Sequence, residues 1–323
     1  MGTSINKQTV YHKKEKRKLS VGCKELLSDI MRDRYLYLLL IPFVAYYALF
    51  YFRPMYALQI AFKDYSLYKG IAGSPWVGFE NFIAFFTGPY FVRTLTNTLY
   101  ISLYSIIFGF PAPIILALLF NEVRNKTFKK FSQTLTYMPY FISAVVVAGI
   151  VINFLSPTSG LVNVLIEKMG GDKTYFLSKP EYFRAIYTAM NIWKETGFGA
   201  VIYIAALAGI DQELYEAGVI DGANKWKQLW HITIPSILPT IAIMLILRIG
   251  GIMEVGYETI ILLYNPAIYE TSDVISTYVY RGGIQEGAYD MATAVGLFNA
   301  TVALFLVFFA NKISKKFAET SLW

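Results

Sequence analysis

Six stretches of this chain are apolar for long enough to cross a bilayer, and their number constrains every other reading. A helix rises 1.5 Å per residue and the hydrocarbon core is about 30 Å thick, so a crossing takes about 20 mostly apolar residues. The stretches are 35–52, 98–120, 136–155, 186–210, 237–253 and 291–310. Lys194 and Glu195 interrupt the fourth. Pro235 and Pro239 mark the start of the fifth, and Glu254 and Glu258 mark its polar exit. Composition agrees, with 55% hydrophobic and only 16% charged residues, where soluble domains carry about 25% charged. Disorder, a collagenous chain and a large cytosolic enzyme are excluded. The fold class expected is an all-α integral membrane protein with six transmembrane helices.

An even number of crossings puts both termini on one side. The segments on that side (1–34, 121–134, 211–236 and 311–323) hold 18 Lys and Arg, and the opposite segments 53–93, 156–181 and 254–290 hold 8. The positive-inside rule then places both termini in the cytoplasm. The formal charge of +7 reads as a topology signal, not as a nucleic-acid footprint. The basic run 13–18 reads as a solvated tail able to touch anionic lipid. No small-residue cleavage pattern follows the first stretch, so that stretch is expected to stay as an anchor. The expected organisation is a basic tail over 1–34, one membrane domain over 35–310 and a short tail over 311–323.

Catalytic constellations are missing from the sequence. Its histidines, His12 and His231, lie far from one another, and Cys23 is the only cysteine, so no intrachain disulfide or cysteine-built metal site can form. There is no His-x-x-Glu-His-type metal site, no Gly-x-Ser-x-Gly elbow and no Gly-Lys dipeptide of a phosphate loop. The chain is therefore read as a non-enzyme without its own ATP, Mg²⁺ or metal site. Active transport would take its energy from a partner or from an ion gradient.

The most informative segment is 211–235. Asp211 fits a helix N-cap with Glu213 in the first turn, and helix is expected to about Ile220. Asp221-Gly222 is a turn signal. A second short helix should follow, with Trp226, Leu229, Trp230 and Ile234 at helical spacing, and Pro235 should open the fifth crossing. Such a knob has an apolar stripe that needs covering. From periodicity alone, lipid headgroups and a protein groove serve equally.

The segment resembles the EAA loop of the membrane subunits of bacterial ABC importers, a pattern of Glu-Ala-Ala, three residues, Gly, nine residues and Ile-x-Leu-Pro. Here it stands as Glu216-Ala217-Gly218, then Gly222, then Ile232-Thr233-Ile234-Pro235. Gly218 and Ile234 depart from the pattern. Val77-Gly78-Phe79-Glu80-Asn81-Phe82 with Asn97-Thr98, and Asp221-Gly222-Ala223 with Trp226, are similar to the sugar-type permeases. Tyr264-Asn265-Pro266, Thr277-Tyr278-Val279-Tyr280 and Ala294-Val295-Gly296-Leu297-Phe298 resemble the LplB-like polysaccharide permeases.

The resemblance runs from about residue 35 to the end and implies a six-helix type I (MalF-like) importer fold. It implies a second homologous permease, two ATPase subunits that carry ATP and Mg²⁺, an extracytoplasmic solute-binding protein and an oligosaccharide substrate, in a bacterial cytoplasmic membrane. It further implies that the knob is a coupling helix seated on an ATPase, through Glu216, Ala217, Gly222, Ala223, Trp226, Ile232 and Pro235. Gly222 is expected to let the two short helices pack closely, and Glu216 to act as a polar anchor.

For the substrate path the signal is polar residues at membrane depth. Trp193 and Glu195 in the fourth stretch, Asn153 at the end of the third, and Glu254, Gly256, Tyr257 and Glu258 after the fifth are the candidates. Glu254 and Glu258 are expected one helical turn apart on one face. The sequence leaves neutral and acidic sugars open. Two other classes compete: an ABC permease for a non-sugar solute, and an ion-coupled secondary transporter using Glu195, Glu254 and Glu258 as proton sites. No paired inverted repeats with broken helices support the latter.

Overall fold

A computed structural model of the protein describes residues 31–317. The basic run 13–18, His12, Cys23 and residues 318–323 lie outside the described residues. The helices that matter for function are α1 (Arg34–Phe62), α2 (Phe91–Glu122), α3 (Lys126–Phe141), α4 (Ala144–Phe154), α5 (Pro180–Ala208) and α6 (Gln212–Ile220). They continue with α7 (Lys225–Gly250), α8 (Tyr257–Leu263), α9 (Ile275–Tyr280) and α10 (Tyr289–Phe317). Among the described residues, α1, α2, α7 and α10 are each long and apolar enough to cross a membrane; taking each of the bent pairs α3 with α4 and α5 with α6 as one span gives at most six candidates.

The chain divides after Ala57 into two units. In the first, no residue of the helix Arg34–Tyr47 is buried, and Tyr46, Tyr47, Phe50 and Tyr51 lie ring to ring along the next turns. A helix apolar on every side is one that lipid or protein must solvate.

In the second unit the ends of the helices depart from expectation for local reasons. The third stretch, 136–155, is not one helix: α3 and α4 meet at 100°. Pro139 disfavours continuation, Ile142 is extended (φ −78°, ψ 134°), and Ser143 restarts the helix by accepting from Val146 N. α4 alone, at 11 residues, is about 16 Å long. α5 starts before 186 because Pro180 takes the first helical turn, where its missing N–H costs nothing. α10 runs past Ala310, carrying Asn311 and Ser314 into buried positions.

Two of the three apolar clusters in the second unit are built on α5. One joins Ala117 of α2, Ala200, Tyr203 and Leu207 of α5, and Ile237 of α7. The other joins Ile101, Val147, Phe183, Tyr187, Val255, Ile260 and Ile268. α5 contributes to both. It sits tightly on α3, where a Cβ on Gly197 would lie 1.8 Å from the Thr136 carbonyl oxygen. Only glycine allows that approach.

The end of α2 that begins at Phe91 is pinned by a polar hub. The fully buried Asp273 carboxylate accepts from Arg93 at 2.6 Å, from both terminal nitrogens of Arg281 at 3.1 and 3.0 Å and from the Thr277 hydroxyl at 2.9 Å. Asn97 donates to the carbonyls of Glu270 and Asp273 and accepts from Arg184 of α5. Burial works against the charge on Arg281, but its hydrogen bonds and attraction to Asp273 outweigh this and hold the guanidinium above its ordinary pKa.

Candidate functional site

The knob forms as the local chemistry dictates. Asp211 Oδ1 accepts from Glu213 N at 3.0 Å, and α6 follows. At its far end Gly222 N donates to the Val219 carbonyl, Ala223 N donates to the Gly218 carbonyl at 2.8 Å, and Gly222 takes φ +76°. That pair of bonds around a left-handed glycine is a Schellman cap. Asn224 then caps the next helix by accepting from Lys227 N at 2.9 Å. The Gln228 side-chain amide donates to the Ala223 carbonyl, and the Tyr215 and Thr233 hydroxyls meet at 2.9 Å. α6 and the first turns of the helix that starts at Lys225 are thus stapled to each other.

Two expectations for this segment are corrected. Gly222 does not serve close packing, because a Cβ there would meet nothing within 4 Å; it is needed for its positive φ. The close approach falls at Gly218, whose Cβ would lie 2.9 Å from Ile232 Cδ1. Nor does a short helix end before Pro235. α7 runs unbroken from Lys225 to Gly250, with a π turn at Leu229–Thr233 in which Ile234 N donates to the Leu229 carbonyl. The wider turn accommodates the proline ring, which would clash with the i−4 carbonyl of a regular helix. It also re-phases the stripe: Leu229 and Ile234 are partly covered, whereas Trp226 and Trp230 stay 70% and 61% exposed.

Ile220, at 86% exposed, joins the two tryptophans as exposed apolar surface on the knob. Between the knob and the end of α2 lies a groove of about 610 Å³ lined by Glu122, Arg124, Tyr215, Glu216 and Lys225. Lys225 pairs with Glu122 at 3.3 Å across it. A more apolar groove of about 460 Å³ is lined by Leu118, Leu119, Trp226 and Leu229. Ala217 is exposed on α6.

Deeper in the helices, two cavities of about 310 and 340 Å³ share a waist. Ser105, Tyr187, Asn191, Glu195, Leu247 and Arg248 line both. Ser105 lies about 25 Å along α2 from Glu122, and Arg248 about 35 Å along α7 from Lys225, at 1.5 Å per residue. Arg248 donates to Ser105 Oγ, and its other terminal nitrogen lies 3.7 Å from Glu195 Oε2. Ser105 opens a second π turn, whose Phe110 N donates to the Ser105 carbonyl. Such turns inside long helices often sit at functional sites.

Of the path residues expected from sequence, Glu195, Glu254 and Gly256 line these cavities. Trp193, Tyr257, Glu258 and Asn153 do not. Asn153 is exposed on α4, Trp193 points out of α5 at 49% exposed, and Tyr257 lies against Tyr280. Glu254 and Glu258 are not on one helical face: Glu254 lies in the break after α7, and Gly256 (ψ 92°) restarts the chain as α8 with Glu258 in its first turn. Sequence reading left out Tyr187 and Ser105, whose residue types carry no signal in a membrane helix. Arg248 differs from them, because a cation inside an apolar run is itself a signal.

An all-helical chain with four to six candidate crossings, a capped and exposed knob, and cavities lined by polar side chains fits a membrane permease. Residues 109–318 match the family described as "Binding-protein-dependent transport system inner membrane component", and the chain belongs to that family. It is a multi-pass membrane component of an ABC importer, with the type I permease fold. It is 46% identical to Protein LplB of Bacillus subtilis over 92% of this chain and 93% of that one. It is 44% identical to the polygalacturonan/rhamnogalacturonan transport system permease protein YteP of the same organism, over 97% and 96%. A chain of a bacterial ABC transporter involved in the import of the acidic polysaccharide alginate superposes with a TM-score of 0.85 at 49% identity, covering 90% of this chain and 99% of that one. A chain of the alginate transporter solved with an alginate pentasaccharide-bound periplasmic protein gives 0.86 at 48% identity, over 92% and 99%.

Proposed function

We propose that this chain is one half of the translocation path of an ATP-driven importer of oligosaccharides derived from polysaccharides. A second, homologous permease supplies the other half, two ATPase subunits bind and hydrolyse ATP with Mg²⁺, and an extracytoplasmic binding protein delivers the sugar. The chain itself performs no covalent chemistry. Both termini and the knob over 211–235 face the cytoplasm, in keeping with the Lys and Arg distribution. The alginate transporters and the YteP protein support the substrate class.

The observation that carries this reading is the knob. It is stapled within itself, exposes Ile220, Trp226 and Trp230, and continues without a break into the rod that ends at the waist. A rigid protrusion with uncovered aromatic anchors fits a groove on a partner. ATP-driven closure of the ATPase pair would move the knob, and α7 would carry that movement to Arg248. Glu216, Ala217, Gly222, Ala223, Ile232 and Pro235 then shape the docking element, and Glu195, Glu254 and Gly256 face the solute. A membrane path lined by polar side chains exchanges a sugar's water hydrogen bonds for protein ones, then releases it when the cavity reopens.

The test is reconstitution of the complete complex in liposomes, with uptake and ATP hydrolysis measured together. Gly222→Val forces a β-branched residue into a left-handed conformation and should abolish stimulation of hydrolysis by the loaded binding protein. Unchanged uptake and stimulation in that variant would count against docking through the knob. Uptake by this chain alone, stopped by a protonophore and indifferent to ATP, would replace this reading with secondary transport.

A further inference from the structure

Arg248 and Glu195 line both cavities. We propose that Arg248 selects sugars bearing a carboxylate, and that Glu195 occupies its place as counter-ion when the path is empty. This rests on the oligosaccharide-importer reading above and names the substrate chemistry of the same path.

The geometry of the waist supports an exchangeable pair. A tight guanidinium–carboxylate bond measures about 2.7–2.9 Å, whereas Arg248 and Glu195 stand 3.7 Å apart. Their side chains are 42% and 50% exposed, so the pair is wet and contributes little to stability. One terminal nitrogen of Arg248 is already fixed by Ser105, which holds the guanidinium in one orientation. A uronate carboxylate arriving in the cavity can approach the planar fork more closely than Glu195 does, and Arg suits that geometry better than Lys.

The charged residues lining the cavities are balanced, two basic (Lys194 and Arg248) and two acidic (Glu195 and Glu254). A substrate carboxylate that displaces Glu195 keeps Arg248 paired throughout. The waiting carboxylate also limits how tightly an acidic sugar is held, since a transport site must release what it binds. A neutral sugar passes the same waist without needing the exchange.

The experiment uses the complete complex in proteoliposomes with its binding protein. Uptake is measured for trigalacturonate, for an alginate pentasaccharide and for their carboxyl-reduced neutral counterparts. The binding protein is the same in every reaction, so differences between variants belong to this chain. Arg248→Gln should raise the KM for the acidic probe that is transported by roughly tenfold to a hundredfold, the range expected for losing one hydrogen-bonded charge contact. It should raise the KM for a transported neutral probe far less, so the ratio of acidic to neutral KM should rise. Arg248→Lys should recover part of the loss.

Glu195→Gln breaks the same ion pair from the other side and should lower the KM for the acidic probe. That opposite sign separates substrate recognition from a structural role, because a merely structural ion pair would lose function from either side. Equal losses in Arg248→Gln and Glu195→Gln, or equal effects on acidic and neutral probes, overturn the inference alone. Wild-type uptake of none of the probes would sink the oligosaccharide reading with it.

Discussion

Asp273 is the centre of the polar hub. It is fully buried and balances Arg93 and Arg281 together, with Asn97 and Arg184 linked to it in turn. The sequence offers no warning of this, because Arg93 lies 180 positions away and the aspartate reads as one more loop residue. Asp273→Asn keeps the shape and removes the charge, leaving two guanidinium groups without their counter-ion. Breaking a buried pair in this way costs about 3–5 kcal/mol. The purified protein in detergent should unfold at a clearly lower temperature, and an unchanged midpoint would show that the hub does not hold the end of α2. Arg248 contrasts with it. Its pair with Glu195 is exposed to the cavity, so losing that pair should leave stability almost untouched.

At the scale of the element, three glycines meet different requirements that the residue name alone cannot tell apart. Gly222 is required for a positive φ, Gly197 for backbone contact, and Gly218 for neither. At Gly197 the obstacle is the backbone of α3, with the Thr136 carbonyl 1.8 Å from a new Cβ. Gly197→Ala must push two helices apart and should cost about 1–3 kcal/mol, as overpacking does. At Gly218 the obstacle is the far end of the Ile232 side chain, which can turn aside. Gly218→Ala restores the family's alanine and recovers about 1 kcal/mol of helix propensity, so its melting temperature should stay level or rise. Equal destabilisation of the two variants would refute this division. The knob itself is legible in the sequence, since Asp211 and Gly222 are local signals read by local rules. Which glycine supplies conformation and which supplies space depends on neighbours that the sequence does not order in space.

For the whole molecule, the all-helical membrane class, the turn at Gly222 and the family followed from periodicity and motif, because burial in lipid imposes a length and a capped turn keeps its spacing. The waist did not. It brings together Ser105, Glu195 and Arg248 from three helices, and no spacing rule links positions so far apart. The rod between knob and waist was also misjudged at one point, since Pro235 was read as a boundary and proves to lie inside a continuous α7. That continuity gives the last prediction. The π turn at Leu229–Thr233 sets the rotation of the knob about the axis of α7, and Pro235 disfavours its relaxation into regular helix. Pro235→Ala removes that restraint and lets the turn tighten. Folding should survive, because alanine is the better helix former, and the complex should still hydrolyse ATP. The knob would sit at a different angle on the rod, so less of each hydrolysis event would reach Arg248. Uptake divided by hydrolysis, measured in the same liposomes, should fall while the melting temperature holds. An unchanged ratio would mean that the phase of the knob does not matter, and that the movement reaches the waist by some route other than α7.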